Sequence, residues 1–205
     1  MNNNRKWLVA IGIVGVLCLC AGVVSALVFG VGISQLTHSI KTDSASVAAT
    51  GQRIADFDIP AGYKETVGMS FLSYDMVMIV PDTYDSGDSS NNPDTSSYSG
   101  MTIMLMQFNS GLTDPAQMQQ QMQRTFEQQG GQRGMNMTVA KTYETTIRGQ
   151  KATVTVYESD TNQGYTLRQL ITIFQGKHGT VMLMMQGSTE TWDQSLADQF
   201  IASIR

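Results

Sequence analysis

An uncharged apolar segment dominates the N-terminal part of this sequence and limits how the chain can fold. Residues 8–33, LVAIGIVGVLCLCAGVVSALVFGVGI, contain neither a charged residue nor a proline. A helix needs about 20 apolar residues to cross a bilayer, so this segment is long enough. Arg5 and Lys6 precede it, and the next Lys or Arg is Lys41. This asymmetry predicts a cytoplasmic N-terminus and an extracytoplasmic C-terminal part.

The segment predicts a single-pass membrane protein with four parts. These are a cytoplasmic N-terminus (1–6), a transmembrane anchor (7–33), a juxtamembrane linker (34–53) and an extracytoplasmic domain (54–205). The residues expected to contact lipid in the cell membrane are Trp7, Leu8, Ile13, Leu17, Leu27 and Phe29. A cleaved signal peptide ending at Ala26 is the alternative. The apolar segment continues for seven residues beyond Ala26, whereas a secretory core is about 7–15 residues long, so an uncleaved signal-anchor is favoured.

Cysteine placement and charge exclude several function classes. Both cysteines, Cys18 and Cys20, lie in the apolar segment, so the predicted domain has no disulfide and no thiol chemistry. Acylation of these cysteines is a minor alternative. Without Arg5 and Lys6, 11 of the 13 basic residues remain against 17 acidic ones, a formal charge of −6. Nucleic-acid binding needs a basic footprint and is excluded.

The rest of the chain is rich in strand patterns. Strands are predicted within 55–65 and 70–81, then over 101–108, 137–148, 151–159, 165–175 and 180–186. Residues 82–100, DTYDSGDSSNNPDTSSYSG, predict a flexible acidic loop. In the strand at 101–108, Met101, Ile103 and Leu105 share one face. Met104, Met106 and Phe108 share the other, which indicates burial on both sides.

Two helices are predicted to cover this sheet. One starts at Asp114-Pro115, carries Met118, Met122 and Phe126 at steps of four, and ends at Gly130. The other starts near Thr191, with apolar residues again at steps of four: Trp192, Leu196, Phe200 and Ile204. A sheet that is apolar on both faces needs cover on both sides. The predicted fold class is therefore α+β: an N-terminal transmembrane helix followed by an α/β/α sandwich with a central, mostly antiparallel sheet.

This layout resembles a known superfamily. The matching stretches are FDIPAGYK (57–64), TTIRGQKATVTVYE (145–158) and the closing strand and helix of 174–205. The domain from about residue 54 to 205 is similar to the PsbP-like α/β/α sandwich. That fold occurs in the photosystem II extrinsic PsbP proteins, the Ran-binding Mog family and many anchored bacterial domains. The resemblance implies a fold but no active site, because these families share none.

The sequence contains no recognisable catalytic or cofactor-binding motif. His178 is the domain's one histidine, it lies in the turn QGKHG, and there is no G-x-S-x-G elbow. No phosphate-binding or dinucleotide-binding motif occurs, and Asp82, Asp85 and Asp88 do not fit a calcium loop. We therefore expect no catalytic residue, no cofactor and no enzymatic activity.

Methionines leave one open question. Thioethers are ligands that Cu(I) favours, so Met104 with Met106, or Met135 with Met137, are candidate copper ligands. The alternative is that methionine fills an irregular core, and most of these positions are ones where a core residue is expected. The favoured function is a non-enzymatic protein-binding or assembly module with a partner in the envelope. Binding of a small ligand, a lipid or Cu(I) is the alternative.

Overall fold

The computed structural model describes residues 40–71, 74–84, 100–108, 114–115, 117–120, 137–161 and 164–205. The elements in chain order are β1 (Ile40–Lys41), α1 (Ser44–Ile54), β2 (Tyr63–Phe71), β3 (Tyr74–Pro81), β4 (Thr102–Phe108), β5 (Met137–Ile147), β6 (Gln150–Asp160), β7 (Thr166–Gln175), β8 (Thr180–Ser188) and α2 (Gln194–Ser203). These elements belong to one compact unit, Ser39–Arg205.

All eight strands form one sheet in the order β1-β2-β3-β4-β8-β7-β6-β5, and every neighbouring pair is antiparallel. The predicted strand patterns at 101–108 and 180–186 are confirmed as β4 and β8, which pair with each other. The sheet therefore ends in two different edges. One edge is the two-residue strand β1, and the other is the eleven-residue strand β5.

One face of the sheet, the helix face, packs against α1 and α2. Its core comprises alternate strand residues, among them Val77, Ile79, Ile103, Leu105, Leu170, Phe174, Val181 and Leu183. Val47 and Ile54 of α1 and Phe200 of α2 join the same cluster. Directly paired residues in antiparallel strands share a face, so the intervening residues form a second face, the methionine face.

α1 is a helix that the sequence did not lead us to predict, since its segment was assigned to the linker. Asp43 caps it, and its carboxylate accepts the Ser46 N–H at 2.9 Å. The buried positions are Val47, Thr50, Gly51 and Ile54, a stripe with helical spacing. Two of these four residues are not hydrophobic, so the stripe gives a weak apolar signal.

α2 confirms the predicted C-terminal helix with a shifted start. Asp193 is the N-cap, because its carboxylate accepts the Leu196 N–H at 2.9 Å. Phe200 and Ile204 are buried, and Trp192 and Leu196 pack partly against the core. The predicted stripe therefore faces the sheet.

The predicted fold class is wrong. Both helices for which the structure gives bounds pack on the same face of the sheet, so these elements do not form an α/β/α sandwich. The second predicted covering helix falls mostly outside the described residues. Of it, residues 117–120 are helical, and the Met118 N–H bonds the Asp114 carbonyl at 3.0 Å. What the structure shows is an antiparallel sheet with few helices.

The predicted transmembrane helix is corrected as well. Among the described residues, no helix has both the length and the apolar character needed to cross a membrane. The segment 7–33, with Trp7, Leu8, Ile13, Leu17, Leu27 and Phe29, lies outside the described residues. The prediction of a single-pass protein with a signal-anchor is therefore withdrawn. Most of the predicted acidic loop, residues 85–99, also lies outside the described residues.

Candidate functional site

β5 has more exposed residues than any other strand of the described structure. β5 is the last strand of the sheet, and its neighbour on the inner side is β6. Residues 138–142, Glu144 and Thr146 are exposed, and only Ile147 at the C-terminal end is buried. An edge strand presents unpaired N–H and C=O groups to whatever approaches it. Within the described residues, no strand pairs with this edge.

The turn after β5 determines which backbone groups point outward. Arg148 and Gly149 connect β5 to β6 and have positive φ angles of 53° and 74°. This is a two-residue hairpin with both φ values positive, as in a type I′ turn, so the flanking pair Ile147 and Gln150 is hydrogen-bonded.

Alternation along the strand then fixes the remaining orientations. The N–H and C=O groups of Tyr143 and Thr145 point toward β6. Those of Thr142, Glu144 and Thr146 point away from the sheet, so three consecutive outward positions are available along the edge. We call the stretch from Thr142 to Thr146 the open edge.

A β-bulge separates the open edge from the N-terminal part of β5. The register shifts between Val139 and Lys141, where the pairing with β6 skips Ala140. Bulges bend an edge strand and interrupt regular pairing. Val139, at the bulge, is 59% exposed and is one of two large hydrophobic side chains exposed in the described structure. Regular pairing with another strand is therefore confined to the open edge.

α2 lies beside the open edge on the helix face. The Tyr143 hydroxyl donates to the Asp198 carboxylate at 3.1 Å, and the Gln194 side-chain amide donates to Asp198 at 2.9 Å. Burial first, and then the nearby Asp198 charge, raise the pKa of Tyr143 to about 12. Tyr143 therefore stays protonated at neutral pH and keeps donating to Asp198. This contact holds α2 in place next to the edge.

The opposite end of the sheet, which we call the closed end, consists of β1, α1, β2 and β3. Arg53 of α1 donates to the Asp75 carboxylate on β3 at 3.0 Å and also contacts the Ser70 hydroxyl on β2. Ser70 donates to the same Asp75 oxygen at 2.7 Å. Asp75 is 6% exposed. A helix and two strands are thus joined by one polar cluster.

His178, the histidine considered for catalysis, lies in a turn, and its backbone makes a hydrogen bond that supports that turn. It is exposed in the turn between β7 and β8, and its backbone N–H donates to the Gln107 side chain at 3.1 Å. Gln107 is fully buried. In the described part of the chain, no group of three or more His, Cys, Asp or Glu side chains is arranged to hold a metal ion.

The structure separates the candidate copper ligands. Met104 and Met106 lie on β4 in the middle of the sheet, whereas Met137 starts β5 at its edge, with β8, β7 and β6 in between. Met135 lies outside the described residues. The two predicted pairs are therefore separate alternatives, and only the pair Met104 and Met106 lies wholly within the described residues.

Strand pairing brings other methionines to Met104 and Met106. Met104 pairs with Met78 on β3 and with Met184 on β8. Met106 pairs with Met76 on β3 and Met182 on β8 in the same way. We call these six residues the methionine grid, with a Met104 row and a Met106 row. The sequence shows two methionines at alternate positions in each strand, but only the strand order shows that the six are neighbours.

Comparisons with known proteins yield little. No protein family model matches the chain, and no curated protein matches it. Among solved structures, the crystal structure of PA94, a protein of unknown function from Pseudomonas aeruginosa, matches with a TM-score of 0.34 and 12% identity. The match covers 56% of this chain and 78% of that one, and similarity at this level supports no functional argument. The PsbP-like resemblance stays a prediction.

Proposed function

We propose that this domain is a protein-binding module that captures an extended segment of a partner protein along the open edge of β5. The observation that carries the proposal is an exposed terminal strand, β5, whose turn and register with β6 imply that the Thr142, Glu144 and Thr146 backbone groups point outward. An added strand uses such groups for main-chain hydrogen bonds, and flanking side chains provide selectivity.

The energetics favour a short partner segment of moderate affinity. Each main-chain hydrogen bond contributes about 0.5–1.5 kcal/mol net, and the three outward residues each offer one donor and one acceptor. Ordering the partner strand offsets part of that gain, because fixing one residue costs about 1–2 kcal/mol. Side-chain contacts are therefore needed for useful affinity.

Different side chains flank the partner on the two faces. On the helix face, the added strand runs beside Tyr143 and the exposed Asp198 of α2. On the other face it runs beside the exposed Thr142, Glu144 and Thr146. Threonine is a residue that favours strands and cross-strand pairing.

The edge also carries features that limit indiscriminate pairing. Lys141 and Glu144 place charges along it, and the bulge at Val139–Lys141 shortens the regular stretch. Natural edge strands use charges and bulges to prevent aggregation. This combination supports pairing with a selected partner over unlimited self-assembly.

Selection of short displayed random peptides on the full chain tests the proposal, because a random library needs no identified partner. Glu144→Pro removes one outward N–H, and Glu144→Ala is the matched control that keeps this N–H while removing the carboxylate. We expect enriched peptides of strand-forming sequence that bind the wild type and Glu144→Ala but lose binding to Glu144→Pro. Peptides that bind Glu144→Pro as well as the wild type would show that the binding surface lies elsewhere.

A further inference from the structure

Methionine is concentrated on one of the two faces of three adjacent strands, with six residues on the methionine face of β3, β4 and β8 against one, Met185, on their helix face. On β3, β4 and β8, the helix face carries Val77 and Ile79, Ile103 and Leu105, and Val181 and Leu183. The alternate positions on the methionine face are filled by the six residues of the grid. Packing alone needs an apolar side chain of suitable volume, and the helix face of these strands meets that need mostly with Val, Ile and Leu, Met185 being the exception. The six residues of the methionine grid differ from the Val, Ile and Leu residues in that each carries a thioether sulfur.

From this arrangement we propose that the Met104 row, Met78–Met104–Met184, binds a soft monovalent metal ion of the Cu(I) type. Thioethers are soft ligands that select Cu(I) over hard cations. The three residues are direct neighbours, with Met104 paired to Met78 on one side and to Met184 on the other. The proposal is independent of the open edge of β5 and of any partner that binds there.

The spacing of the row suits three-coordinate binding. Directly opposite residues in antiparallel strands have Cβ atoms about 4.5–5.5 Å apart. A methionine side chain is unbranched and has three rotatable bonds, so its sulfur adapts its position easily. An ion above Met104 is therefore within reach of the sulfurs from both neighbouring strands.

Accessibility selects this row over the Met106 row. Met78 and Met104 are partly exposed, which gives an ion a route to their sulfurs, whereas Met184 at the inner end of the row is 7% exposed. In the Met106 row, by contrast, Met76, Met106 and Met182 are all buried, at 5–9% exposure.

Met184 is already oriented by a polar neighbour. The Gln169 side-chain amide donates to the Met184 sulfur at 2.9 Å, between two buried side chains. A thioether sulfur has two lone pairs, so one remains for a metal ion.

Titration of the full chain with Ag(I), a redox-inert soft ion, tests the proposal when the methionine methyl groups carry ¹³C. We expect saturable shifts of the Met78, Met104 and Met184 methyl signals at one ion per chain. The Met101 and Met185 signals should not move, because these two residues are buried in the helix-face core. Zn(II), a less soft ion, is the metal control and should cause no shift.

Variants separate the site from general metal uptake. Met104→Leu conserves volume and removes the central sulfur, so affinity for Ag(I) should fall by at least about 10-fold. Met185→Leu, on the same strand as Met184 but on the helix face, should bind Ag(I) as the wild type does. If Met104→Leu does not fold, Met78→Leu at its partly exposed position serves in its place. Wild-type affinity in these variants, absence of saturable binding, or equal shifts with Zn(II) would each overturn the proposal.

Discussion

The two ends of the sheet differ in how their last strands are held. At the closed end, α1 packs across β2 and β3, and the Arg53–Asp75–Ser70 cluster ties these three elements together. At the other end, β5 has eleven residues, most of them exposed, and in the described structure it pairs on one side only. An ion pair also exists there, Lys151–Glu144, but its atoms are 3.9 Å apart and its side chains are 87% and 74% exposed. The closed end is thus held by side-chain contacts between three elements, whereas the edge at β5 has backbone groups that pair with no other strand of the described residues.

The largest expected change in the free energy of unfolding comes from proline at an inward position of β5, in contrast to proline at an outward position. Thr145→Pro removes an N–H directed toward Ala152 on β6, and we expect it to lower the free energy of unfolding by about 3 kcal/mol. Glu144→Pro removes an outward N–H, and edge strands tolerate proline there, so the loss should stay below about 1 kcal/mol. Urea denaturation of both variants measures the difference. Equal losses would mean that the assigned orientation of β5 is incorrect.

An intermediate loss in the free energy of unfolding is expected when the ion pair at the closed end is removed, and a smaller one for the ion pair on β5. Asp75→Ala leaves Arg53 and Ser70 without their shared acceptor at a buried site, so we expect a loss of about 1–3 kcal/mol. Glu144→Ala removes an exposed ion pair and should change stability by less than about 0.5 kcal/mol. The same denaturation measurement tests both. A Glu144→Ala loss as large as that of Asp75→Ala would remove the distinction between the ends.

The smallest effect is a pH dependence at the closed end. Burial raises the pKa of Glu65 on β2 above its ordinary value of 4.5. The folded state therefore holds this proton more tightly than the unfolded chain does. The resulting stability is fully present below pH 4.5 and is lost as the pH rises through the folded-state pKa. Glu65→Gln should remove this part of the pH dependence and be the more stable protein at neutral pH. A wild-type pH profile unchanged by Glu65→Gln would contradict the expected role of burial.

Local patterns were enough to predict most strands. MTIMLMQF alternates cleanly, and the structure places β4 at Thr102–Phe108 with Ile103 and Leu105 fully buried. α2 was predicted because its apolar residues recur at steps of four. α1 was missed because Thr50 and Gly51 occupy two of its four buried positions, and the buried surface of a glycine and a threonine leaves little hydropathy signal.

Local sequence patterns did not predict the order of the strands in the sheet. β4 pairs with β8, although β5, β6 and β7 lie between them in the chain. Neither the methionine grid nor the position of β5 at the edge follows from hydrophobic periodicity, because both depend on pairings between distant segments. The predicted sandwich was wrong for a related reason. Periodicity shows that a strand is apolar on both faces, but it does not identify the element that packs on each face.

Amide hydrogen exchange along β5, with and without a selected peptide, tests the strand-capture proposal most directly. In the free protein, Thr142, Glu144 and Thr146 should exchange rapidly, while Tyr143 and Thr145 should be protected by their bonds to β6. Binding of the peptide should slow exchange at the three outward amides and change the other two little. Protection of these three amides in the free protein, or continued rapid exchange when the peptide is bound, would contradict strand capture at the open edge.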